Sequence, residues 1–216
     1  MCAKGGIGMS LNTLKTLRKK ERDARRHLIL EAARALFAER DFKHVTVREI
    51  AKKAGMAVGT IYNYYASLDE LFLEIFLDST DAVIHQISRQ AEAETFTLEA
   101  ACRFYIDFLN NNLTFYQIMS HFMLGGDLSE ASTRKLNDAM RVLMDHLESV
   151  VVRKTGMAGN TRIVTHALFA ALNGIMISYA RYPGRTDAEI HAHARRLADI
   201  IAAVFANAKD VRLMSV

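Results

Sequence analysis

The residues of this chain best placed to do chemistry are cations and hydrogen-bonding groups near the amino end. Lys15, Arg18, Lys19, Lys20, Arg22, Arg25 and Arg26 crowd into one short stretch. Ammonium and guanidinium groups at that density attract a polyanion, either nucleic acid or anionic lipid, although a solvated tail would look the same. Further on, Gly59, Thr60, Asn63 and Tyr64 share the outer side of a short helical segment that carries no long charged side chain. Such a side suits contact with a surface rich in hydrogen-bonding groups. Catalytic and metal chemistry find little support. There is no Glu-x-x-His pair for a di-iron bundle. His191 and His193 fall on different faces of a helix, and His121, His146 and His166 lack a carboxylate at useful spacing. No Gly-x-Ser-x-Gly, Walker A or dinucleotide fingerprint is present. The reading is therefore no catalytic residue, no cofactor and no metal.

The elements that must position these groups are helices. The 216 residues are 50% apolar and 24% charged, with one proline and 11 glycines. That composition forms a packed core and lacks the turn residues of a β-sandwich or barrel. The net charge of +4 is unevenly spread. Residues 1–70 hold 14 basic and 8 acidic side chains, giving +6, and the remainder hold 14 and 16, giving −2. Cys2 and Cys102 are too far apart for a disulfide framework and point to a reducing, cytoplasmic setting. Residues 1–14 lack the apolar centre of a signal peptide. The uncharged run Ile163–Ala180 is long enough to cross a membrane, but it contains Thr165, His166, Asn173 and Ser178. It reads as a buried or oligomer-forming helix, with no membrane partner.

The punctuation is clear in the first third. Leu28/Ile29, Ala32/Ala33 and Leu36/Phe37 recur every four residues and predict a helix over 20–39. Thr46 and Glu49 are spaced as a capping box. Val47, Ile50, Ala51 and Ala54 then form one inward face, and Gly55 can take the left-handed conformation that ends the helix. After two residues, Val58, Ile61, Tyr62 and Tyr65 repeat the same spacing. Ser67 and Glu70 open a further helix. Two short helices joined by a glycine-started turn outline a helix-turn-helix.

The run Thr46-Val-Arg-Glu-Ile-Ala-Lys-Lys-Ala-Gly-Met-Ala-Val-Gly-Thr-Ile-Tyr-Asn-Tyr-Tyr65, followed by Ser67-Leu-Asp-Glu-Leu71, resembles the DNA-binding region of the TetR (tetracycline-repressor-type) family. The resemblance covers about residues 24–76. It implies an all-helical homodimeric repressor whose helix after the turn, including Val58, enters the major groove of operator DNA. Carried onto this chain, Arg48 matches a base- or phosphate-contacting position and could grip guanine in two places. Its alternative is a solvated charge. Thr60 matches a base or phosphate contact, and Tyr62 and Tyr64 match phosphate contacts. Tyr62 also shares the inward stripe, which leaves a core role open. Gly59 would let the backbone approach DNA, and Asn63 could meet phosphate or an adenine edge. Thr46 is first a cap. The sequence departs from the family where Leu68 replaces a common lysine and Ala57 replaces the usual Ser or Thr cap. Lys19, Lys20 and Arg22 could compensate at phosphates or the minor groove.

The rest of the chain predicts helices around 68–93, 98–110, 113–124, 129–155, 161–182 and 187–208, the last opened by a Thr186/Glu189 capping box. The fold class is thus all-α, with a flexible basic arm over 1–19, a helix-turn-helix domain over 20–67 and a ligand-binding and dimerisation domain over 68–216. The resemblance implies that the helices at 161–182 and 187–208 form the homodimer interface, and that a small effector in the second domain releases the DNA. Its candidate lining is Phe104, Phe108, Tyr116, Met119, His121, Met123, Met144, Asn173 and Met176. Met and aromatic side chains can adapt to an apolar or aromatic ligand, yet they also serve as ordinary core. The competing reading is a helical-bundle enzyme or an anionic-membrane-surface module without specific DNA binding.

Overall fold

Most of the stretches with helical apolar spacing are helical in the backbone. The computed structural model describes residues 11–92 and 96–207, and among these there is no strand. Helix α1 spans Leu11–Glu39. Its carboxyl half turns Ile29, Ala32, Ala33, Leu36 and Phe37 inward, whereas Leu28, expected on that stripe, is exposed. A 3₁₀ turn, Phe42–His44, follows. It buries Phe42, whose ring meets that of Phe37 edge-on at 6.3 Å. Helices α2 (Val47–Lys53) and α3 (Val58–Tyr62) come next, and α4 spans Leu68–Ala91. The Ser67 hydroxyl caps α4 by accepting from the Glu70 amide at 3.2 Å.

Two expectations change here. Residues 11–19 are helical in α1 rather than part of a flexible arm, and residues 1–10 lie outside the described residues. The cations of this stretch are good helix formers, and nothing in 11–19 breaks a helix. Helix α3 ends at Tyr62 instead of running to Tyr65. The chain turns at Asn63, yet the Tyr65 amide still donates to the Ile61 carbonyl at 3.0 Å, which keeps the Tyr65 ring buried in register.

The chain divides into two compact units, Met1–Leu71 and Phe72–Val216, a turn beyond the division expected at 67/68. The second unit contains α5 (Leu98–Asn111), α6 (Leu113–Met123), α7 (Glu130–Thr155), α8 (Thr161–Tyr179) and α9 (Asp187–Ala206). Helix α8 stops three residues short of the expected end at 182. The Thr186/Glu189 capping box opens α9 as its spacing predicts. Helix α5 packs on α6, α7, α8 and α9. It is tied to α9 by Asp107, whose carboxylate takes the His191 Nε2 at 2.7 Å and the Arg195 guanidinium at 2.8 Å. Arg103 donates to Asp199 at 2.9 Å on the same pair of helices. Val83, Ile84, Ile87, Phe96, Leu143 and Val150 form one core cluster, with Phe104, Phe108, Met140, Leu147 and Phe169 leaning against it half-buried. Cys102 is buried, and that burial, with Asp199 and Glu99 nearby, pushes its thiol up to about 12.

Helix α2 ends in a Schellman motif. The Met56 amide donates to the Ala51 carbonyl at 2.9 Å and the Gly55 amide to Lys52 at 3.2 Å, with Gly55 at φ +67°. Any side chain there meets its own backbone, so Gly55→Ala should lower urea-unfolding stability by about 1–2 kcal/mol. An unchanged unfolding midpoint would contradict this account of the turn.

Candidate nucleic-acid interface

The outer side of α3 is held in place by α2, and α2 is held at both ends. At its start, Thr46 and Glu49 form the reciprocal capping box. One Glu49 carboxylate oxygen accepts from the Thr46 amide at 2.9 Å and hydroxyl at 2.8 Å. The other accepts from the Arg40 guanidinium at 2.6 Å. At the end of α2, Lys53 donates to Glu39 at 2.6 Å. Glu39 ends α1 and Arg40 directly follows it, so these two exposed contacts add to the burial of Ile50 and Ala51 in setting α2 against α1. The Arg40 and Thr46 hydrogen bonds hold the Glu49 carboxyl down at about 2, well below its ordinary 4.5. The spacing of the sequence foretold the box. It gave no sign of Arg40 or Lys53, because their partners lie nine and 14 residues away.

Helix α3 is anchored through its inner side alone. Ile61 is buried within it and Tyr65 just beyond it. Its N-cap, Ala57, makes no side-chain cap hydrogen bond, as its missing hydroxyl predicts. The remaining residues turn outward. Gly59 and Asn63 are exposed, Val58, Thr60 and Tyr64 are half-exposed, and Tyr62 is 54% exposed, which removes its core alternative. A Cβ built on Gly59 would meet nothing within 4 Å. Neighbouring protein atoms therefore do not require glycine there, although glycine inside a helix costs up to about 1 kcal/mol relative to alanine. Arg48 is exposed on α2, and Thr46 is exposed at its start. Lys19 and Lys20 are exposed on α1. Arg22, on the same helix, sets its guanidinium 5.9 Å from the centre of the Tyr64 ring. This brings the basic stretch to the margin of α3, a juxtaposition that sequence spacing did not disclose.

The second unit distributes its nine candidate ligand residues unevenly. Tyr116, Met119, Met144, Asn173 and Met176 are buried, Phe104, Phe108 and His121 are half-buried, and Met123 is 51% exposed at the end of α6. Asn173 is engaged with protein groups: its amide donates to the Phe169 carbonyl at 2.8 Å and to the Tyr105 hydroxyl at 3.2 Å. Burial raises the Tyr105 pKa. Phe104 lines a surface groove of about 470 Å³ together with Phe96, Ala100, Arg103 and Arg195.

Residues 29–75 match the family model described as bacterial regulatory proteins, tetR family. The chain is 28% identical over 95 residues to an uncharacterized HTH-type transcriptional regulator, YfiR, of Bacillus subtilis (strain 168), covering 44% of this chain and 45% of that protein. It is 32% identical over 80 residues to the HTH-type transcriptional regulator HbdR of Aromatoleum sp. (strain CIB), covering 37% and 35%. The matches thus span less than half the length of these curated relatives. The fold is similar, at a TM-score of 0.62 and 17% identity over 82% of this chain and 97% of the other, to the transcriptional regulator FadR from Bacillus subtilis in complex with stearoyl-CoA.

A carboxylate held low stabilises the folded state above its unfolded pKa and loses that contribution as the pH falls through the folded value. For Glu49 the window lies between about 4.5 and about 2. Urea midpoints of Glu49→Gln should therefore fall less steeply across that window than those of the unaltered chain. Parallel curves would remove Glu49 from its pinning role.

Proposed function

We propose that this chain, whose residues 29–75 match the tetR family of bacterial regulatory proteins, is a member of that family and a cytoplasmic, sequence-specific DNA-binding regulator, a homodimeric repressor released from its operator by a small effector. The observation that carries this reading is the outer side of α3: uncharged, rich in hydrogen-bonding groups, and bare at Gly59 without any internal demand for glycine. In the major groove, Thr60 and Asn63 would meet base edges or phosphates, Gly59 would allow backbone approach, and Tyr62 and Tyr64 would donate to phosphates. Arg48, from α2, would add a guanidinium. Val58 begins the helix and, half-exposed, would lie at the groove edge.

Dimerisation would use α8 and α9. Ile163, Ala167, Ala170 and Ile177 repeat along one exposed side of α8, with Ile177 74% exposed. Ile200, Ala203 and Val204 do the same on α9. Helix α8 is long and apolar enough to cross a membrane. It packs against α5, α7 and α9, and the proposal uses its exposed side to meet a second copy of the chain, without a membrane. Two-fold symmetry would then present α3 twice, to two half-sites.

The effector would enter by the groove at Phe104, which leans half-buried on the same core cluster as Phe108 and Phe169. Arg103 and Arg195 at its mouth are already paired with Glu99, Asp199 and Asp107, so the lining favours a ligand with an apolar body. The complex of FadR with stearoyl-CoA on a similar fold supports that class.

On a duplex enriched from a random pool by the full-length chain, Gly59→Ala, Thr60→Ala and Tyr64→Ala should each weaken binding at least tenfold. Gly59→Ala should leave urea stability equal or higher, since alanine is the better helix former. Full affinity in all three variants would reject the assigned side. Sedimentation should show a dimer for the unaltered chain and a monomer for Ile177→Asp. A dimer that persists in that variant would move the interface elsewhere.

A further inference from the structure

In helix α1, residues 13–28 are exposed throughout, about four turns of helix before Ile29 is buried. At about 100° per residue, the seven cations of this stretch do not spread around the helix. Lys15, Arg18, Lys19, Arg22, Arg25 and Arg26 follow the steps i, i+3, i+4, i+7, i+10 and i+11, which places them within a sector of roughly 120°. Lys20 falls outside it. Leu14, Leu17 and Leu28, all exposed, run along a separate strip. The basic strip has a fixed relation to α3, because Arg22 lies over the ring of Tyr64. Its length from Lys15 to Arg26 is about 16 Å, close to half a turn of duplex.

We infer that this strip is a second nucleic-acid contact, a rigid basic rod that follows the sugar–phosphate backbone beside the half-site read by α3. The inference rests on the regulator reading above and extends it. A helix cannot thread the minor groove as an extended arm does. It can lay a row of cations against phosphates, which positions the protein without reading sequence. Arg22 belongs both to the rod and to the margin of the reading helix, so the two contacts share one register. Arg25, also paired with Glu21 at 2.6 Å, can exchange that exposed carboxylate for phosphate. The assignment separates Lys19, on the strip, from Lys20, off it. It also adds Lys15 and Arg18.

Each phosphate neutralised on duplex DNA contributes about 0.9 to the slope of log affinity against log salt. The test compares the full-length chain with the triple variant K15Q/R18Q/K19Q and the control K20Q on the same enriched duplex, from 50 to 300 mM salt. Glutamine preserves helix propensity, and circular dichroism checks the helix content. The triple variant should lose about 2 to 3 from the slope, keep the same base preference, and give a shorter hydroxyl-radical footprint outside the half-site. K20Q should leave slope and footprint as they are. An unaltered slope in the triple variant overturns the rod contact alone, while failure of the unaltered chain to enrich any duplex overturns the regulator reading and the rod with it. A third arm uses vesicles of three parts phosphatidylcholine to one part phosphatidylserine. If the triple substitution abolishes vesicle sedimentation while the DNA slope stands, the strip is a membrane contact and the inference fails.

Discussion

A helix of five residues cannot support itself in water, because the first turn fixes several residues before it gains a hydrogen bond. Helix α3 is such a segment, and it lacks even a side-chain cap. Everything it presents outward depends on what grips it inward: Ile61 and Tyr65 in the core of the first unit, and a turn locked by Gly55 to a helix that is itself clamped. The clamp is economical in residues. Glu49 uses one oxygen to cap α2 and the other to hold Arg40, while Lys53 reaches Glu39 at the opposite end. Four charged side chains and one threonine thereby fix an element whose own sequence stabilises it hardly at all.

The same arrangement divides two tasks. Glu49 and Lys53 of α2 are spent on Arg40 and Glu39, which helps orient α3, while Arg48 of α2 is left exposed. The outer side of α3 is left polar and neutral, suited to reading hydrogen-bond patterns. Charge for gripping a polyanion is placed on the exposed part of α1. Contact with phosphates positions and contact with bases specifies; under the proposed reading α1 would serve only the first task and the outer side of α3 both, with Arg22 and Tyr64 where the two meet.

Much of this was legible in the sequence because it is local. The capping boxes at Thr46/Glu49 and Thr186/Glu189, the left-handed Gly55 and the uncapped Ala57 follow from residues within one turn of each other. What escaped was non-local or lacked a periodic signal. Residues 13–28 of α1 are exposed, so no apolar stripe announces its early turns. Tyr64 and Tyr65 continue the spacing of α3 although the backbone leaves the helix at Asn63. In the second unit, a methionine or an aromatic ring has the same letter whether it fills a core or lines a groove. Met119 and Met176 are buried, Met123 faces outward, and the composition of that stretch could not separate them. Asn173, among the candidate lining residues, shares its amide between the Phe169 carbonyl one turn back and the Tyr105 hydroxyl 68 residues away, and only the second partner is invisible to spacing.

The central claim is that the outward side of α3 faces the major groove. Dimethyl sulfate protection measures this directly, because it methylates guanine at N7 in the major groove and adenine at N3 in the minor groove. With the full-length chain bound to its enriched duplex, the account predicts protected guanine N7 positions in two patches about one helical turn, or a multiple of it, apart on one side of the duplex. Protection confined to adenine N3, or none at any guanine N7 in a duplex that contains guanine in both half-sites, would contradict it.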